Sequence, residues 1–137
     1  MVQSSHQYLN SIGTGHKFLI IDYLIIIIVL MAFDYLGLGL VLGPRFKKMA
    51  GEIGVTVEIN YYVIIATYIV MLIGFFSFVD LQGSVSNAFL FGIVTHGIYE
   101  LTNFATIKGW QPEFVILDVL WGGIIYSALF YFMREFY

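Results

Sequence analysis

Four apolar runs organise the chain: residues 18–42, 61–79, 85–106 and 114–132. A helix crossing the roughly 30 Å hydrocarbon core of a bilayer needs about 20 mostly apolar residues, and each run has that length and is bounded by charge or by helix breakers. The pattern predicts an all-α integral membrane four-helix bundle. It forms a single transmembrane domain over 18–137, preceded by a polar N-terminal segment, 1–17.

The connections carry signals of their own. Lys17 precedes the first run and Gly43-Pro44-Arg45 follows it, which predicts that the chain leaves the bilayer at a break there. Asp80, Gln82, Gly83 and Ser84 make a tight connection, so the second and third helices are expected to be antiparallel neighbours. Gly109 suits the left-handed residue that ends the third helix, and Pro112 with Glu113 suits the first turn of the fourth. The longest connection, 43–60, has two readings. Pro44 starts a short interfacial helix, with Phe46, Met49 and Ile53 on one side and Arg45, Lys47 and Lys48 near the headgroups, or the segment is a loop. The first apolar run is too long for a cleavable signal peptide, and no small-residue cleavage site follows it.

Composition agrees with the pattern and narrows the class. Of 137 residues 60% are hydrophobic and only 11% charged, with a mean hydropathy of +0.89, whereas a soluble domain carries about 25% charge. The net charge of −3, the lack of any block of like charge and the absence of cysteine disfavour disorder, a coiled coil, a nucleic-acid-binding patch and a disulfide-stapled secreted domain. Orientation follows from lysine and arginine: Lys17 and Arg134 lie on one side, Arg45, Lys47, Lys48 and Lys108 on the other. This bias puts the 43–60 connection in the cytoplasm and both termini outside.

Ionisable residues inside the spans are the functional lead, because each costs several kcal/mol unless paired, hydrated or neutralised. Asp22 lies about a turn from the membrane edge and reaches headgroups. Asp34, His96, Glu100 and Asp118 are deeper. Counting about 1.5 Å per residue from the middle of each run brings Asp34, Glu100 and Asp118 to one level, on the side of the long connection. Asn103 lies further toward that surface and His96 near the middle. His96, Glu100 and Asn103 share one helix face, continued by Gly92 and Ala88, as in a helix turned toward its partners. On the fourth helix Asp118 is followed one turn later by Trp121 and Gly122.

No lysine or arginine lies deep in any span, so three carboxylates at one level cannot all stay ionised without a cation or water. Asp34, Glu100 and Asp118, with His96, Asn103 and Trp121, are therefore the candidate site. The plainer alternative is that these groups only hydrogen-bond across helices to fix packing. The tyrosines and tryptophans at span ends, Tyr61, Tyr62, Trp110, Tyr131 and Tyr137, read as an interfacial belt. Thiol chemistry, a retinal-type Schiff base and two-sided haem ligation lack their residues. No cofactor and no metal site is expected. Three functions remain: a small proton or cation channel or transporter built as a homo-oligomer; a membrane enzyme or lipid-binding protein using the same carboxylates; and a structural membrane subunit. The lipid bilayer is the expected partner in each, with protons, small cations or a lipid as ligand and no nucleic acid.

The stretch 87–132 resembles the bacterial predicted membrane protein family known as domain of unknown function 2177. The residues that carry the likeness are Tyr99-Glu100, Thr102-Asn103-Phe104-Ala105-Thr106, Gly109-Trp110-Gln111-Pro112, Asp118 and Trp121-Gly122. Asp34, within Phe33-Asp34-Tyr35-Leu36-Gly37, looks like that family's first-helix aspartate. Two departures stand out: Glu100 occupies an expected aspartate position, and Gln111 is inserted before Pro112. The resemblance implies a four-helix membrane protein and no particular activity.

Overall fold

The structure, a computed structural model, describes residues 18–137, so the polar segment 1–17 with Lys17 lies outside the described residues. All regular structure among the described residues is helical. Helix α1 (Ile20–Gly37) passes through a π-helical turn, Leu38–Leu42, into α2 (Gly43–Ile53); α3 (Tyr61–Phe78), α4 (Val85–Thr106) and α5 (Pro112–Phe136) follow.

The expected break at Gly43-Pro44 does not occur. In an α-helix the proline ring collides with the carbonyl four residues back, but a widened turn moves that carbonyl aside. Here the Gly43 N–H bonds five residues back to the Leu38 carbonyl, and Pro44 continues the rod. A Cβ on residue 43 would strike the Leu38 oxygen, so glycine is required there. The wide turn also adds one residue to the helical register. Inward-facing positions in α1 run Ile26, Leu30, Gly37, and after the turn they become Leu42 and Met49, buried, with Phe46 and Ile53, partly buried. Without that shift the inward stripe would reach Arg45, Lys48 and Glu52 instead. Residues 43–53 are therefore a helix, with the apolar side that the sequence suggests.

The remaining helices start where the chain provides partners for their free N–H groups. The Asn60 side chain accepts from Val63 N–H at 3.2 Å and that of Ser84 from Ser86 N–H at 3.1 Å, while Pro112 opens α5. Asp80 folds the α3–α4 connection, its carbonyl and carboxylate accepting from Gly83 and Gln82 N–H at 3.0 and 2.9 Å. Gly109 is left-handed as expected, with φ of 89°, but it lies beyond the helix end. It occupies the third position of a turn closed by Trp110 N–H to Ile107 C=O, 3.2 Å, and that turn points Trp110 inward.

Helix α5 is the centre of the molecule and packs along α4. The two backbones touch: a Cβ on Gly92 would strike the Gly122 carbonyl, one on Gly122 the His96 ring, and one on Gly123 would lie 2.6 Å from Phe89. Around α5 sit two apolar clusters. The larger joins Ile26, Leu30, Leu72, Phe75, Tyr126 and Phe130; the smaller joins Leu42, Met49, Trp110, Phe114 and Val115 beneath α2. Helix α3 lies outermost and buries little beyond Leu72 and Phe75.

Among the described residues three helical runs are long and apolar enough to cross a membrane: Ile20–Ile53, Tyr61–Phe78 and Pro112–Phe136. The sequence-predicted third span, α4, has 22 residues but lower hydropathy, because it carries Asn87, His96, Glu100 and Asn103. Its polar face turns to α5, which is how such a helix can sit among apolar neighbours.

Gly92→Ala should lower the thermal midpoint in detergent by an amount equivalent to about 1–3 kcal/mol, as overpacking does. Gly97→Ala, whose Cβ would meet nothing within 4 Å, should leave it unchanged or raise it. Equal midpoints for the two variants, measured by circular dichroism, would contradict the tight α4–α5 contact.

Candidate functional site

The antiparallel register of α4 and α5 pairs Gly92 with Gly122 and, four residues on, His96 with Asp118. His96 Nδ1 lies 3.1 Å from Asp118 Oδ2, and both side chains are almost fully enclosed. Across from this pair, Tyr68 of α3 donates to Asp34 of α1 at 2.6 Å. Asp34, Tyr68, His96 and Asp118 line one cavity of about 500 Å³, whose other walls include Leu38, Ile64 and Met71. Thr95 and Tyr99 also face it. The Thr95 hydroxyl is spent on its own helix, donating to the Phe91 and Gly92 carbonyls at 2.9 and 3.2 Å.

The cavity borders the larger apolar cluster, against which its lining residues Tyr68 and Met71 pack. Its mouth is lateral, between α1, α3 and α4, where Leu38, Ile64 and Tyr99 are 42%, 37% and 57% exposed. Asp34 is half-buried near that mouth, and Asp118 is buried at the back.

Glu100 is not part of the lining. It is 1% exposed, and its carboxylate accepts from the Trp110 indole N–H at 2.8 Å. Trp110 is itself 6% exposed, beneath Phe46 and beside Phe114. That position corrects its assignment to an interfacial belt, since the Gly109 turn folds it back over α4. Tyr61 and Tyr62, by contrast, are 70% and 87% exposed at the start of α3. Asp118 remains within electrostatic reach of both Asp34 and Glu100, so the three acids are neighbours in two settings.

Asn103 and Trp121 sit outside the cavity lining. The Asn103 amide nitrogen and the Trp121 indole nitrogen are buried and have no hydrogen-bond partner among the described residues. The Trp121 ring lies against Gly37, where any side chain would strike it. His96 Nε2 and the Tyr126 hydroxyl are likewise buried without a partner among the described residues. Asp22 accepts from Leu19 N–H at 2.7 Å at the start of α1 and also hydrogen-bonds Tyr137 at the end of α5. No three His, Asp or Glu side chains among the described residues gather as a metal site.

Tyr68 and Tyr126 lie outside the residues singled out by sequence, where depth is counted for the acids, His96 and Asn103. The same count applied to tyrosine finds Tyr68 and Tyr126 near mid-span, too deep for a belt.

A bundle of apolar helices around an acidic, histidine-bearing cavity defines a helical integral membrane protein. Residues 19–132 match the predicted membrane protein family DUF2177, and the chain belongs to that family. No match is found among curated proteins or among solved structures.

Trp110→Phe leaves a buried carboxylate without its donor and should cost about 1–3 kcal/mol. The double variant Trp110→Phe with Glu100→Leu should recover part of the loss, since removing both partners is nearly neutral. Thermal melts of the two variants decide this; a double variant less stable than the single one would show that Glu100 has another essential partner.

Proposed function

We propose that the lateral cavity binds the cationic head of an amphiphile, in exchange for a proton. The observation that carries this reading is the convergence of Asp34 and Asp118 on one space of about 500 Å³ whose mouth is apolar and opens sideways. With His96 protonated, the ionised cluster has a net charge of −1, and with His96 neutral it has −2, since no lysine or arginine lies nearby to balance it. Such a cluster holds a proton or a cation to offset its charge. Apolar walls at Leu38, Ile64 and Met71 suit a hydrocarbon tail, and the carboxylates suit an ammonium group, so the ligand class is an alkylammonium-like amphiphile entering from the bilayer.

A second reading, movement of protons or small cations across the bilayer, is favoured by the same exchangeable proton. This reading requires a path through the bundle, opened by helix movement or completed by a homo-oligomer. Under the orientation given by lysine and arginine, the 43–60 connection is cytoplasmic and both termini are outside.

Dodecyltrimethylammonium binding to the purified protein in zwitterionic bilayers, followed by calorimetry, tests the first reading. Affinity should rise with pH as proton competition falls, and Asp118→Asn should lower it by about tenfold or more, as loss of a buried charge partner does. Unchanged affinity in both Asp34→Asn and Asp118→Asn would reject the site. Proton flux in liposomes that survives both substitutions would reject the second reading.

A further inference from the structure

A second groove, separate from the acidic cavity, lies between α2 and the first turns of α5 and has a volume of about 520 Å³. Its polar rim is formed by Arg45 and Lys48 of α2, one turn apart, with Gln111 and Glu113 opposite. Its floor and outer wall are Phe114, Ile116 and Leu117. Arg45 forms no ion pair among the described residues. Lys48 is 78% exposed and only loosely paired with Glu52, at 3.9 Å. Glu52 in turn accepts from the Gln111 amide at 3.0 Å, which ties that acid to the turn before α5.

Below the basic rim the surface is apolar. Ile116, Leu120 and Ile124, four residues apart on α5, are 60%, 48% and 52% exposed and form one stripe running from the groove along the helix. Cations at the headgroup end and a hydrocarbon track beneath them match the two halves of one lipid. The register shift at Leu38–Leu42 is what presents Arg45 and Lys48 here while Phe46 and Met49 face inward.

We propose that this groove holds an anionic phospholipid, with its phosphate against Arg45 and Lys48 and an acyl chain along Ile116, Leu120 and Ile124. The site is independent of the acidic cavity and selects the opposite headgroup charge. Glu113 opposes the phosphate, so its neutralisation strengthens binding.

The test uses the full chain with Trp121→Phe, in which Trp110, with its ring 6.1 Å from that of Phe114, is the sole tryptophan. Brominated phosphatidylglycerol or brominated phosphatidylcholine is mixed as a minor fraction into unbrominated phosphatidylcholine vesicles, and quenching of Trp110 is measured. The anionic lipid should be preferred by about tenfold, from two basic groups at the membrane surface. Arg45→Gln with Lys48→Gln should bring the preference to parity, Glu113→Gln should raise it, and Lys47→Gln, outside the groove, should leave it unchanged. Equal quenching by the two lipids in the parent protein overturns the proposal. So does loss of preference in Lys47→Gln, which would mean diffuse surface charge. Competition by inorganic phosphate would also overturn it, because the site would then read a free anion.

Discussion

The close approach of α4 and α5 at Gly92 and Gly122 is the constraint on which the other contacts depend. Where two helix backbones touch, their axes are fixed within a narrow range, and side chains a turn away meet at hydrogen-bond distance rather than across a gap. His96 and Asp118 are that next turn. The aromatic groups Phe89 and Tyr126 fill the flanks of the same seam, and α1 then lays Ile26 and Leu30 into the larger cluster. Bilayer hydrocarbon gives helices no hydrophobic reason to associate, so van der Waals contact between small residues is the force available.

Each of the deep carboxylates has a different partner. Asp34 receives a tyrosine hydroxyl, Asp118 a histidine, and Glu100 an indole. Neutral or weakly basic donors replace lysine and arginine throughout. A carboxylate held by such donors keeps spare acceptor capacity, whereas a guanidinium would saturate it. The separation of Glu100 under Trp110 leaves Asp34 and Asp118 as the pair that shares open space.

Much of this was legible in the sequence. Run lengths gave the helices, and depth counting singled out Asp34, His96, Glu100 and Asp118, of which three share a cavity. The spacing of Ala88, Gly92, His96 and Glu100 identified the face that meets α5. Two things were hidden. Pro44 reads as a stop because a regular α-helix cannot hold it, and only the backbone reveals the π-helical turn that can. Trp110 reads as a belt residue by position, but the left-handed Gly109 turn reverses its direction. Both depend on local backbone geometry that residue type and spacing do not specify.

The outermost position of α3 has a consequence for the cavity beside it. Tyr68 spans the gap to α1, but Ile64 and Thr67 stand at an open edge, so in a bilayer the missing wall is made of acyl chains. The site's volume and dielectric then belong partly to the membrane. Under the proposed function, chain length, unsaturation and lateral pressure become determinants of occupancy, on the same footing as the side chains.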